Sequence, residues 1–296
     1  MRRYFCTGAT GFIGREIVRQ LLKREDTQAI VCLTRGLKPN AIEHPKLQYW
    51  KGDITDCVFP EGVVVAYDDH KQILPFTDLI HGANAASFTS HKEYYETVEG
   101  TARVMKWARG MNALLLSTGG IHRNTVYAQA KRQSELIAQQ HGARIARIYA
   151  TVGPEIPLDG PFAVGQFVGM ALKRETINCW GPSAIRTYID VTDCARWLLT
   201  ILDSDTEEPV DVAGNVQMFV GEVADLVGEI FGVPVMKHSD DRDDAYIPDL
   251  SFRNVLELDY TLTLRQSLEK IRDHYAAISA VLYPNLESLP RTGSMR

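Results

Sequence analysis

The sequence predicts an α/β fold, a doubly wound parallel sheet with a smaller C-terminal α/β lobe. Three observations predict it. The strand-like run Tyr4-Phe5-Cys6 feeds TGATGFIG, Thr7 to Gly14, and then Ile17, Val18, Leu21 and Leu22 at helical spacing. Strand-like and helical segments alternate from there, and that alternation stops at Pro154. With 296 residues, the chain is long enough for a nucleotide-binding domain plus a second lobe. The expected division is a dinucleotide-binding domain over 1–153, a mainly substrate-binding lobe over 154–284 with segments returning to the main domain, and a loose tail over 285–296.

The glycine-rich turn organises the rest. Gly8 allows the tight turn, Gly11 lets the backbone approach a pyrophosphate, and Gly14 lets the helix pack close to its strand. The free N–H groups and the positive dipole end of that helix suit phosphates. Gly8, Thr10, Gly11, Phe12, Ile13 and Gly14 are therefore the candidate phosphate cradle.

Bulk properties narrow the class. Hydrophobic residues make up 45% and charged residues 23%, ordinary for a soluble enzyme. A formal charge of −5 argues against nucleic-acid binding, and there is no basic run to suggest a membrane surface. No apolar stretch approaches the ~18 residues of a membrane span. Five cysteines without a CxxC pair, two of them in buried strand candidates, read as reduced thiols of a cytoplasmic protein. The eight histidines show no metal-ligand spacing, so no metal is expected.

Along the chain, Ala29 to Leu33 is the second strand and ends at Thr34-Arg35-Gly36. A domain that binds NAD carries an acid at this place for the adenosine ribose. Here Thr34 offers a hydroxyl and Arg35 a bidentate cation that suits a 2′-phosphate, which favours NADP, with NAD the alternative. Leu47 to Lys51 is the third strand and delivers Asp53 and Ile54 to hold adenine. Residues 55 to 77, with an acidic tip at Asp68-Asp69, give no clear pattern. Asp78 to His81 is the fourth strand, with His81 read as a structural histidine. The small residues Gly82, Ala83 and Asn84 then let the chain pass under the nicotinamide ribose and phosphates.

Tyr94 to Gly110 reads as a long helix that suggests a homodimer. Leu114 to Leu116 is a central strand ending at Ser117-Thr118-Gly119-Gly120. Tyr127 and Lys131 lie four apart on the next helix and therefore share a face. An ammonium beside a phenol stabilises phenolate and lowers its pKa from ~10, making Tyr127 a usable acid/base near neutrality.

Taken together, TGATGFIG, GDI (Gly52 to Ile54), DLIHGA (Asp78 to Ala83), Ser117-Thr118 and YAQAK resemble the extended short-chain dehydrogenase/reductase family. More narrowly, they resemble its NAD(P)-dependent nucleotide-sugar epimerase/dehydratase branch, with its Rossmann-type sheet. The match continues through RIYATVGP (Arg147 to Pro154), WGPSAIRTYIDVTDCARWL (Trp180 to Leu198) and the segment from Asp249 to Ile271. The resemblance implies that Tyr127 is the acid/base and that Lys131 clamps the ribose and lowers the Tyr pKa. It also implies that Thr118 bonds the reacting oxygen, Arg186 contacts the substrate diphosphate, and Tyr149 lies beside the nicotinamide. The implied partner is a nucleotide-sugar substrate, with neither nucleic acid nor membrane.

Four departures shape the reading. The acidic pair that dehydratases carry after the catalytic Thr is Gly119 and Gly120 here, which argues against 4,6-dehydration. The Asn of the RxxN segment is Ala150, and that of NVxGT is Thr97. Only eight residues separate Thr118 from Tyr127, fewer than in relatives.

In the second lobe, Gly160 to Lys173 is expected as a helix and Ile185 to Val191 as a strand. Thr192-Asp193 is expected to cap a helix through Leu202, and Val210 to Ala213 to return to the main sheet. Glu222 to Phe231 and Leu264 to Tyr275 are expected as amphipathic helices, and Asp240 to Asp244 as a solvated loop. The expected activity is an NAD(P)-dependent 4-ketoreductase or epimerase. Two rivals stay open: a thioester- or aldehyde-forming NADPH reductase, and a non-catalytic NADP-binding regulator.

Overall fold

The computed structural model describes residues 1–37, 41–67, 70–84, 90–239 and 244–282. The Asp68-Asp69 tip, most of the 240–244 loop and the 285–296 tail lie outside them. In chain order the first elements are β1 (Arg2–Thr7), α1 (Phe12–Lys23), β2 (Thr27–Thr34), β3 (Leu47–Lys51), β4 (Val63–Tyr67) and β5 (His70–Leu74). Next come β6 (Asp78–His81), α2 (His91–Trp107), β7 (Asn112–Thr118), α3 (Val126–Gln140) and β8 (Arg144–Ile148). The later part holds β9 (Ala150–Val152), α4 (Ala163–Leu172), β10 (Ile177–Trp180), β11 (Ile185–Asp190), α5 (Val191–Asp203) and β12 (Val210–Val212). It ends with β13 (Gln217–Phe219), α6 (Val220–Phe231), β14 (Val235–His238), α7 (Phe252–Val255) and α8 (Leu264–Leu282).

These elements divide between two compact units. The first comprises 1–149, 192–213 and 248–259, and the second 150–191, 214–247 and 260–296. The first unit is built on a seven-stranded sheet in the order β12-β8-β7-β6-β1-β2-β3. Every neighbouring pair in it is parallel. This is the expected doubly wound sheet, and Val210–Val212 does return to it beside β8. Strand order reverses between β1 and β6, and the crevice at such a reversal is where α/β sheets bind ligands.

Burial explains why these segments form. α1 buries Ile17, Val18 and Leu21, at the helical spacing the sequence shows. Each such side chain contributes about 1.5–3 kcal/mol on full burial. On one face of the sheet Phe5 meets the Trp107 and Phe76 rings edge-on, at 4.6 and 5.3 Å between centroids. α2 begins three residues before the expected Tyr94, because Ser90 and Glu93 form a reciprocal capping box.

Three further expectations are corrected. The unread stretch 55–77 contains the antiparallel hairpin β4–β5. α5 starts at Val191, so Asp193 sits in its first turn instead of capping it. α8 continues past Tyr275 to Leu282. The second unit contains the three-stranded sheet β13-β11-β9 and the parallel pair β10-β14.

Candidate functional site

The loop after β1 is shaped by backbone contact. Gly8 has φ +73°, a left-handed conformation, and a Cβ there would lie 2.6 Å from the Gly82 carbonyl carbon. A Cβ on Gly14 would lie 2.2 Å from the Gly8 carbonyl oxygen, so only glycine lets α1 begin this close to the turn. Gly11 is the N-cap of α1 and supplies no side-chain cap. The first-turn N–H groups are thus left to a ligand or solvent.

A cavity of ≈ 380 Å³ opens beside this turn. It gathers the expected residues Gly8, Thr10, Gly11, Thr34, Arg35, Asp53, Ile54, Gly82, Ala83 and Asn84. Leu33, Gly36, Gly52, Thr55 and Glu96 also line it, and sequence reasoning did not propose them as site residues. Phe12, Ile13 and Gly14 are not part of that lining; they form the first turn of α1. Ile54 reaches the cavity because α2 carries Gly100 opposite it, where a Cβ would lie 2.4 Å from Ile54 Cδ1. A cradle that a Cβ would fill, next to a helix start with no side-chain cap and a cavity of ≈ 380 Å³, fits a dinucleotide.

The charged end of the cavity is more engaged than the sequence implies. The Thr34 hydroxyl donates to the Gly36 carbonyl at 2.7 Å and accepts the Gly36 N–H at 3.1 Å. The Arg35 guanidinium is mostly exposed and stands 3.8 Å from Asp53. Burial acts to raise the Asp53 pKa, but the Thr55 N–H and hydroxyl and then Arg35 outweigh it and hold the carboxyl below its usual range.

On α3, Lys131 is buried at 3% exposure. Its ammonium donates to the Leu116 carbonyl on β7 at 3.0 Å and lies 5.8 Å from the Tyr127 ring centroid. Burial pushes its pKa down to about 8 against the opposing pull of Glu135. Thr125 caps α3 by accepting the Ala128 N–H at 3.1 Å, which sets the helix start at Val126, one residue before Tyr127. Thr118 ends β7, and its Oγ1 accepts the Gly120 N–H at 3.1 Å.

Glu135, four residues beyond Lys131, accepts from the Ser117 hydroxyl at 2.5 Å and from Arg147 at 2.7 Å. The Tyr149 hydroxyl donates to Asp211 at 2.8 Å, and the Asp249 N–H reaches the same carboxylate oxygen at 2.8 Å. Burial raises the Asp211 carboxyl above its usual range despite those donors and Arg147. Glu135 could have been found from its spacing, one helical turn beyond the Lys; Asp211 carries no local signal.

A model of the NAD dependent epimerase/dehydratase family matches residues 4–213. The chain belongs to that family.

The curated relatives of this family member include UDP-glucuronic acid decarboxylase 6 of Arabidopsis thaliana. It is 24% identical over 312 residues, which cover 92% of this chain and 88% of the relative. Among solved structures, WbmF of Bordetella bronchiseptica in complex with NAD+ superposes with a TM-score of 0.79 at 17% identity. That match covers 96% of this chain and 95% of WbmF. UDP-glucose 4-epimerase of Thermotoga maritima with UDP-glucose gives a TM-score of 0.77 at 18% identity, covering 93% and 99%. At these identities the structures show a shared fold.

The remaining expected residues of this epimerase/dehydratase family chain fall as follows. Ala150 is on β9, and Thr97 is buried in α2. Arg186 belongs to the second unit, on β11. Its guanidinium donates to the Asp244 carboxylate at 2.5 Å, the Asp244 carbonyl at 2.6 Å and the Ile185 carbonyl at 2.8 Å. The guanidinium also lies 5.6 Å from the Tyr246 ring centroid. Among the described residues, no helix is long and apolar enough to cross a membrane.

Proposed function

We propose that this chain is an NAD(P)-dependent oxidoreductase acting on a nucleotide-activated sugar, as a 4-ketoreductase or an epimerase. The observation that carries the reading is the buried Lys131 ammonium, bonded to the end of β7 and set against the Tyr127 ring. A cation in that place favours the phenolate of Tyr127. Tyr127 then takes the proton from a sugar hydroxyl on oxidation and returns it to the carbonyl oxygen on reduction. Thr118 orients that oxygen. Lys131 would also hold the cofactor ribose, and Tyr149 would lie beside the nicotinamide. Arg186 binds the substrate diphosphate, sharing its charge with Asp244.

Gly8, Thr10, Gly11, Phe12, Ile13 and Gly14 would hold the dinucleotide diphosphate. Asp53 and Ile54 would hold the adenine, and Gly82, Ala83 and Asn84 the nicotinamide-side ribose and phosphates. Bound there, the dinucleotide would supply hydride-transfer chemistry through its nicotinamide ring. NADP is favoured because β2 ends in Thr34-Arg35 with no carboxylate. NAD is the competing cofactor, supported by the NAD+ complex of the WbmF neighbour.

The test is a turnover screen with UDP-glucose, UDP-glucuronic acid and a 4-keto nucleotide sugar, with dinucleotide content measured on the purified protein. Stoichiometric NADPH consumption identifies a reductase. Interconversion without consumption, on a retained cofactor, identifies an epimerase. Carbon dioxide release from UDP-glucuronic acid would align the chain with its decarboxylase relatives instead. Tyr127→Phe should lower turnover on the order of 10²–10⁴-fold. A wild-type chain that binds dinucleotide and turns over nothing supports the regulator.

A further inference from the structure

One buried polar chain plays no part in the chemistry above. It starts at the nucleotide loop, where the Ala83 N–H donates to Thr7 Oγ1 at 3.1 Å. Thr7 Oγ1 lies 2.6 Å from His81 Nδ1, and His81 Nε2 lies 3.1 Å from Thr101 Oγ1. The Thr101 hydroxyl donates to the Thr97 carbonyl at 2.8 Å, and Ser134 Oγ lies 3.3 Å from the same Thr101 oxygen. His81, Thr101 and Ser134 are each 1% exposed and Thr7 is 3% exposed, so water cannot repair a mismatch.

The proton positions follow from donor and acceptor capacity. A carbonyl only accepts, so Thr101 commits its single hydroxyl proton to Thr97. Its oxygen is then an acceptor toward both Ser134 and His81. His81 must therefore carry its proton on Nε2 and present a bare Nδ1 to the Thr7 hydroxyl. That leaves the Thr7 oxygen open to the Ala83 N–H. The reverse tautomer would set the Nε2 lone pair against the Thr101 oxygen and leave the Thr7 proton without an acceptor. Burial and then Lys131 lower the His81 pKa to about 3, so the ring stays neutral in this environment.

The four side chains sit on elements that matter to the site. Thr7 immediately precedes Gly8, and Ala83 lines the dinucleotide cavity. Thr101 is on α2, and Ser134 is on α3, three residues beyond Lys131. We propose that His81 is a positioning residue whose Nε2–H tautomer couples α2 and α3 to the Ala83 N–H of the dinucleotide loop. The proposal rests on the cofactor reading above only for its binding readout.

The test uses the full chain labelled with ¹⁵N, its His81 signals assigned by comparison with His81→Asn. Wild-type protein should show a neutral Nε2–H ring between pH 5 and pH 8. Thr101→Val, which removes the acceptor and keeps the shape, should flip the ring to Nδ1–H. It should also speed exchange of the Ala83 amide and weaken NADPH or NADH binding, each by about 10-fold. Thr101→Ser should restore all three.

Should Thr101→Val fail to fold, Thr7→Val tests the other end. It should keep the Nε2–H signature while the Ala83 amide exchanges about 10-fold faster. An Nδ1–H or doubly protonated ring in the wild type overturns the proposal. So does a flipped ring with unchanged Ala83 exchange, or equal effects of Val and Ser at 101. If the wild type binds neither dinucleotide, the cofactor reading falls, and the tautomer and the Ala83 amide alone judge the coupling.

Discussion

A methyl group on Gly119 would lie 2.2 Å from Cε2 of the Tyr149 ring. The position directly after Thr118 is thus closed by an aromatic ring whose hydroxyl is tied to Asp211. An acid in that place and Tyr149 in this orientation exclude each other, which gives a steric reason for the glycine at 119. Gly119→Ala should destabilise the fold by about 1–3 kcal/mol in urea titrations, the usual cost of overpacking. Combining it with Tyr149→Leu should recover part of that loss. Additive losses would show that the two residues do not collide.

Burial of Lys131 ties its proposed role to stability. Its pKa is about 8 in the fold against 10.5 for the free side chain, so the unfolded chain binds more protons between those values. Stability therefore rises with pH across that window. Lys131→Met should lack this rise, and its turnover should fall on the order of 10²–10⁴-fold. Urea midpoints at pH 7.5 and pH 10, with turnover at each, check both; identical pH slopes in variant and wild type would refute the buried cation.

His81 gives the opposite limb. Its folded pKa of about 3 lies below the ordinary 6.5, so the unfolded chain binds the extra proton as pH falls. Stability should decline from about pH 6.5 toward pH 3, by at most ~1.4 kcal/mol per pH unit from this residue. His81→Gln should be less stable than wild type at pH 7, and the gap should narrow at pH 4. Chemical denaturation at the two pH values measures the difference.

If the proposed site holds, Arg35 is expected to set the dinucleotide preference. Arg35→Ser removes a mostly exposed cation 3.8 Å from Asp53. Losing a charge-assisted phosphate contact should weaken NADPH binding about 10-fold and leave NADH binding nearly unchanged. Parallel calorimetric titrations settle it. Equal loss for both dinucleotides would place Arg35 away from a 2′-phosphate.

What the sequence alone determined is what short-range rules govern. The φ +73° glycine turn, the start of α1, and a Tyr and Lys on one helical face depend on neighbours within about four residues. The central strands were legible for a related reason, since their apolar runs match burial on both faces of a parallel sheet. The β4–β5 hairpin was not: its strands are five residues each, in a stretch with no clear alternation.

Only the tertiary structure chose the partners of the polar groups. Thr7 and His81 are 74 residues apart, Tyr149 and Asp211 are 62 apart, and Arg186 and Asp244 are 58 apart. Strand order and helix packing bring each pair within hydrogen-bond reach, and no local preference encodes that proximity. Burial then turns proximity into chemistry: with little water to share, each buried donor is held to the acceptor the fold places beside it.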